Sequence, residues 1–317
     1  MKLSQAVFAR LFVLVMGISS VGLPASRAQS SNTIGSWLTL TLSNDTASFG
    51  VYAPATNANG VFDLYCKTNL TDGEDWVWIQ RGARGQTNLV LTNLPPDQGY
   101  FTLGVTNAIR AGFTNSALPP EDDGPSAPAT LPFTVNYFGS NYSSLFVNNN
   151  GNVTFDDAKS AYVPSSLINV GIRIIAPYWA DVDSSNPLSD VVKYGDGLVD
   201  GRAAFGVEWV NVGYFWAHVD RLLSCQLVII DRSDIAPGDF DMEFNYDKVQ
   251  WQFGDASGGI PAHAGFTSGV AGHELAGSGV LDAFLDSNVA TGLIYHNLNS
   301  SVPGRYLFFF RDGQPLP

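Results

Sequence analysis

Only two cysteines and four histidines occur among the 317 residues, and only 14% of the chain is charged. Cys66 and Cys225 cannot form the disulfide framework that staples small exported modules. Cys66 alternates with Phe62 and Leu64, and Cys225 opens the run CQLVII, so both are expected as buried free thiols. The four scattered histidines (His218, His263, His273, His296) leave no His-rich metal site. Basic residues are also scarce, with 16 Lys and Arg against 29 Asp and Glu, a net charge of −13. Such a field repels nucleic acid and anionic membrane surfaces and suits solubility or cation binding. Long hydrophobic runs are missing too. Leu11 to Leu23 is apolar but spans 13 residues, too few to cross a bilayer.

That run instead resembles an export signal. Lys2 and Arg10 supply the positive start, and Ser26 and Ala28 stand at −3 and −1 of a cut before Gln29. Removing residues 1–28 takes away Lys2, Arg10 and Arg27 but no acid, which moves the net charge from −13 to −16. What remains is rich in Gly, Asn, Ser and Thr, and the full chain is 45% hydrophobic. This composition describes strands joined by many turns around a real core, and an all-β fold class.

Short strand-like runs fill residues 37–107: WLTLTL, FDLYC, DWVWIQ, NLVLTNL and YFTLGV, with turn clusters between them. They predict a small β-sandwich module over 29–116. Ala117–Ala129 (ALPPEDDGPSAPA) holds four prolines and three acids and reads as a stiff, solvated linker. A larger β-sandwich-like domain over 130–312 and a tail at 313–317 follow. Within it, LFVNNNGNVTF (Leu145–Phe155) signals a hairpin with Asn150-Gly151 in a two-residue turn. The plain reading of this hairpin is purely structural; alternatively, Asn148, Asn149 and Asn150 could line an exposed binding edge. Asp239–Tyr246 alternates strictly, with Phe240, Met242, Phe244 and Tyr246 on one face and Asp239, Asp241, Glu243 and Asn245 on a wet one. Asp239 and Asp241 are therefore further binding-face candidates. After Asp247-Lys248 the apolar phase slips by one residue, which marks a turn or bulge. Arg305–Arg311 (RYLFFFR) reads as a final buried strand.

Three motifs bear on chemistry. GDASGG (Gly254–Gly259) resembles the nucleophile segment of trypsin-like proteases, but Ala256 is inserted between Asp255 and Ser257, and an oxyanion hole depends on that backbone path. HELAG (His273–Gly277) lacks the second histidine of a zinc helix. Asp181-Val-Asp183-Ser-Ser-Asn places carboxylates at i and i+2, the hard oxygen ligands that calcium prefers. Asp181 and Asp183 are the metal candidates, with Asp196 and Asp200 as ligands if the loops converge. The alternative is that these residues simply bond their own turns. Five Asn-x-Ser/Thr sequons occur, at Asn44, Asn69, Asn141, Asn152 and Asn299.

Four blocks carry a family resemblance: VNNNG (Val147–Gly151), APYWADVD (Ala176–Asp183), EWVNVGY (Glu208–Tyr214) and GDFDMEFNYDKVQW (Gly238–Trp251), closed by PGRYLFFFRD (Pro303–Asp312). In this order they resemble the nidogen-like extracellular (NIDO) domain over about Thr130 to Asp312. The resemblance implies a secreted or cell-surface protein that binds a matrix-type protein or glycan, without catalytic residues or a certain cofactor, calcium being the candidate. A scaffold domain without its own ligand, and an extracellular hydrolase, are the alternatives. The cysteine-rich modules that accompany animal members are absent from this chain.

Overall fold

The computed structural model describes residues 108–316 except 169. Before them it describes eight strands, with side chains at 63–66, 78–81, 88 and 90, together with residues 62, 82, 83 and 86. Nearly every regular element is a β-strand, as the composition implies. Two compact units divide between Thr106 and Asn107.

The first unit contains β1 (Leu14–Met16), β2 (Arg27–Ser31), β3 (Trp37–Ser43), β4 (Thr46–Tyr52), β5 (Asp63–Lys67), β6 (Val77–Arg81), β7 (Asn88–Leu91) and β8 (Gly99–Gly104). They form two antiparallel four-stranded sheets, ordered β1-β8-β5-β6 and β2-β3-β4-β7. The five strand-like runs read from the sequence correspond to β3, β5, β6, β7 and β8. Leu14–Met16, inside the expected export signal, pairs with Gly99–Phe101. Apart from that strand and the first residues of β2, the signal segment lies outside the described residues. Phe62, Leu64 and Cys66 are buried together, as their alternation implies. Beside them Arg81 makes two 2.8 Å hydrogen bonds to the buried carboxylate of Asp63.

The second unit contains β9 (Ser116–Ala117), β10 (Ala129–Tyr137), β11 (Ser140–Asn148), β12 (Asn152–Thr154), β13 (Ile174–Trp179), β14 (Val182–Asp183), β15 (Lys193–Val199), β16 (Arg202–Tyr214), β17 (His218–Asp231), β18 (Phe240–Val249), β19 (His263–Thr267), β20 (Gly272–Glu274), β21 (Arg305–Arg311) and β22 (Gln314–Pro315). One sheet runs β10-β11-β12-β13-β19-β20, and the other β22-β21-β18-β17-β16-β15-β9, with β14 also paired to β16. The two sheets share an aromatic core. Tyr137 of the first stacks near Phe310 of the second, and Phe266 lies edge-on to Phe308 and Phe310. Polar tips are satisfied across this core: Tyr246 donates to the Pro177 carbonyl at 2.7 Å and Trp209 to that of Asn149 at 2.8 Å.

Three sequence expectations change here. The proline-rich segment 117–129 is not a free linker but part of the second unit. Its backbone is bonded to the domain: Ser184 N donates to Glu121 O, Asn149 N to Gly124 O and Ser126 N to Val147 O. Proline composition reports stiffness, and a stiff segment can lie along a surface as well as span a gap.

The polar face of β18 is not wet. Asp239, Asp241, Glu243 and Asn245 are all buried. Arg232 and Arg311 cover Asp241, Arg110 grips Glu243 through Nε and Nη2 at 2.6 and 2.8 Å, and Arg305 donates to Asn245. Alternation shows which side of a strand is polar, not what covers it. The cover comes partly from residues 108–113, where Arg110 exchanges backbone bonds with the Gln226 side chain. Phe113 packs there with Val199, Ala204, Val228 and Ile230.

The hairpin between β11 and β12 has a three-residue loop, since Asn148 pairs with Asn152. Gly151 alone takes the left-handed conformation, at φ +73°. The phase slip in β18 is a bulge: Ser224 pairs with Lys248 and Cys225 with Tyr246, which leaves Asp247 as the extra residue. In β21, burial alternates, with Tyr306, Phe308 and Phe310 inward. Both cysteines are buried and free.

Candidate functional site

The loop after β13 is held in place by asparagines. Asn148, Asn149 and Asn150 are 0% exposed, so they do not line a binding edge. They form a hub within the fold instead. Asn148 donates to the side chains of Asn152 and Thr154 and accepts from Lys159 N. Asn149 donates to Ser184 Oγ at 3.1 Å. Asn150 accepts from Val182 N at 2.9 Å and donates to Asp123 Oδ1 at 2.6 Å. A run of amides does this because each side chain carries both a donor and an acceptor and can bridge irregular backbone. Asn152 is buried as well, while the sequons at Asn141 and Asn299 stay exposed.

The two metal candidates separate in role. Asp183 accepts from Ser185 N in its own turn at 2.9 Å and from Ala217 N, between β16 and β17, at 2.7 Å, so both of its oxygens are engaged. Asp181 is 1% exposed, accepts Ser257 Oγ–H on Oδ2 at 3.0 Å, and has no partner for Oδ1. Its neighbours are Asp122 and Asp123, which the backbone bridge between Asp122 and Asp183 brings alongside. One carboxylate oxygen from each of Asp122, Asp123 and Asp181 lies within 4.8 Å of the others. Asp122 is exposed and Asp123 half-buried.

Although the residue as a whole is exposed, partial desolvation of its carboxyl against the domain, then the charges of Asp123, Asp183 and Asp181, push Asp122 up to about 7. Burial raises Asp181 to about 6; its hydrogen bond from Ser257 opposes that rise, and the charges of Asp123, Asp183 and Asp255 add to it. Asp123 is raised by burial and by Asp183, against the hydrogen bond from Asn150.

The other acids do not join this group. Asp196 stands opposite Phe205 and Asp183 opposite Gly213, eight residues apart along β16, or about 25 Å at the usual rise of a strand. Asp200 lies farther along still, at the turn into β16. Asp241 sits at that same far end, in register with Ile230 and through it Ala204. Asp239 and Asp241 are thus neither an exposed face nor within reach of Asp181. Ser257 donates to Asp181, while His218 Nε2 lies 3.3 Å from Asp255, so GDASGG does not present a serine to a histidine base. His273-Glu274 lies on β20, with Glu274 2.7 Å from His263 Nδ1, and not on a metal-binding helix.

Beside the acidic group stands an aromatic tip that sequence reasoning missed. The β16–β17 hairpin ends in Phe215-Trp216-Ala217, with the Phe215 and Trp216 rings 6.1 Å apart and nearly parallel. Trp216 is 74% exposed. Trp216 and Ala217 both adopt left-handed backbone, at φ +82° and +57°. Such residues cost about 1–3 kcal/mol each and persist only where their surroundings hold them. Here Asp183 accepts from Ala217 N, Asn186 donates to Ala217 O, and Phe215 N donates to Asp181 O. No Gly, Asn or Pro marks this turn in the sequence, which is why it escaped notice. Asp122 and Asp123 were hidden by the linker reading.

A family profile described as NIDO related matches residues 98–291. Alpha-tectorin of Mus musculus is 28% identical over 223 residues, covering 61% of this chain and 10% of that protein. Alpha-tectorin of Homo sapiens is 27% identical over the same shares. Nidogen of Drosophila melanogaster is 26% identical over 221 residues, covering 60% of this chain and 15% of that protein. The chain thus spans only 10% to 15% of the length of these relatives. No solved structure matches it at a significant level. Because the profile covers more than half of the chain and contains all four blocks that carry the resemblance, with only the closing segment Pro303–Asp312 outside it, the protein belongs to the NIDO-related family and carries a nidogen-like domain.

Proposed function

We propose that this chain is an exported, non-catalytic protein whose nidogen-like domain attaches to a matrix-type protein or glycan. The Phe215-Trp216 tip makes the central contact. The exposed, conformationally held Trp216 carries this reading. A solvent-facing tryptophan on a costly backbone contributes nothing to the core, and tryptophan is enriched among residues that dominate binding energy. Two parallel rings also suit stacking on a sugar face or a partner's apolar side chain. The kinship with alpha-tectorin and nidogen supports an extracellular setting, as does the export-signal pattern at residues 1–28. Among the described residues no helix is long and apolar enough to cross a membrane.

The test is binding of the purified chain to a panel of immobilised matrix proteins and glycans, with Trp216→Ala alongside. A ligand whose affinity falls tenfold or more in the variant, at an unchanged melting temperature, supports the proposal. A ligand bound equally well by both proteins removes the tip from the mechanism. No ligand on the panel would favour the scaffold reading.

A further inference from the structure

We propose that Asp122, Asp123 and Asp181 form a calcium site that clips the 121–124 turn onto the nidogen-like domain. The proposal is independent of what the aromatic tip binds. It differs from the pairing read off the sequence, because Asp183 is occupied by backbone amides and two acids from the proline-rich segment take its place.

Three acids alone do not make a site. The second observation is a set of buried acceptors that nothing donates to. Five buried side-chain atoms among the described residues lack a hydrogen-bond partner. Three of them are oxygens around this one turn: Asp181 Oδ1, Glu121 Oε1 and Asn149 Oδ1. Asp181 is the decisive one, since its side chain is almost wholly buried and one oxygen from it lies within 4.8 Å of carboxylate oxygens of Asp122 and Asp123. Buried polar groups are ordinarily satisfied, and an unpartnered carboxylate oxygen amid other carboxylates calls for a positive charge. Among the described residues no lysine, arginine or histidine is found beside Asp122, Asp123 or Asp181 to supply one.

The donor set selects the ion class. All candidate ligands are hard oxygens, which suit calcium or magnesium and exclude a soft-metal site. Separations within 4.8 Å fit inside a calcium sphere, whose diameter is roughly 5 Å at Ca–O distances of 2.3–2.6 Å. The backbone is arranged to present the acids. Asp123 takes a left-handed conformation at φ +67°, and Asn150 holds its Oδ1. Asp181 is fixed through Ser257, and the absence of a side chain at Gly254 leaves room for its Oδ2.

The experiment is calorimetric titration of the full chain with calcium chloride and, separately, magnesium chloride, with melting temperature followed in calcium and in chelator. Asp122→Asn is the main variant, because Asp122 is exposed and its loss leaves the core intact. Asp181→Asn is the second. Asp196→Asn, an exposed acid on β15, is the control. The expected result is one calcium per chain and a melting temperature raised by calcium. Affinity should weaken tenfold or more in Asp122→Asn and Asp181→Asn and stay unchanged in Asp196→Asn. Absence of heat and of any thermal shift in the wild type overturns the proposal. So does binding that survives Asp122→Asn, or weakens equally in Asp196→Asn, which would signal diffuse screening of an acidic chain. Preference for magnesium overturns the assignment to calcium.

Discussion

Gly151 shows how tightly one residue can be specified. It takes φ +73°, and a Cβ at that position would overlap the carbonyl oxygen of Tyr178. Gly151→Ala should therefore cost about 2–4 kcal/mol, beyond the ordinary penalty for a left-handed alanine. Urea denaturation would measure it, and a loss below 1 kcal/mol would mean that β13 gives way. Glu243 makes a second, pH-dependent prediction. Burial alone would raise its carboxyl, but the Arg110 hydrogen bond, the charges of Arg305 and Arg110, and Asn245 together hold it below the usual glutamate range. A depressed folded-state value means the stabilisation is fully present above pH 4.5 and is lost as pH falls through the lower folded value. Glu243→Gln, which leaves Arg110 facing a neutral partner, should cost about 3–5 kcal/mol near neutrality. The gap to wild type should narrow as pH falls below 4.5 toward the lower folded value. A gap that did not narrow on acidification below that range would remove the ion pair as its cause.

Among the elements, the plug formed by Phe113 has an uncommon floor. Its ring lies over Gly197 and Gly206, and a Cβ at either position would run into it. Phe113→Ala should cost about 3–5 kcal/mol, as a buried aromatic truncation does. Gly206→Ala should also destabilise, by expelling the ring. The double variant should be more stable than the sum of the two losses implies, because the new methyl occupies space the ring has left. Strict additivity in a double-mutant cycle would show that the two do not touch. None of this was legible in the sequence, where Phe113 lies in a stretch without periodicity. The strands fared better: the alternation of Phe240 to Tyr246, the slip after Asp247 and the apolar face of Phe62, Leu64 and Cys66 were all readable. Strand pattern is local, recorded in neighbouring residues. The Asp122–Asp181 proximity and the Arg110–Glu243 pair join positions far apart in sequence, and no local pattern encodes them.

At the scale of the whole molecule, composition pointed to a boundary inside 117–129, whereas the compact units part between Thr106 and Asn107. The difference is testable by truncation. A fragment of residues 107–317 retains Arg110, Phe113 and the 121–126 bridging bonds, and should unfold in one cooperative step. A fragment starting at residue 130 strips the cover from Glu243 and from the Phe113 site. It should be less stable or insoluble. Equal stability of the two fragments would restore the linker reading.

The large sheet of the second unit ends on both sides in strands of two residues, β9 and β22. Short outer strands offer a neighbouring chain almost no backbone ladder to extend. Such a sheet resists edge-to-edge polymerisation. Contact between copies at this sheet must then pass through side chains at its loops and tips, not through a backbone ladder. Parting copies that met there would need only the separation of side-chain contacts, with no strand to be drawn out of this sheet.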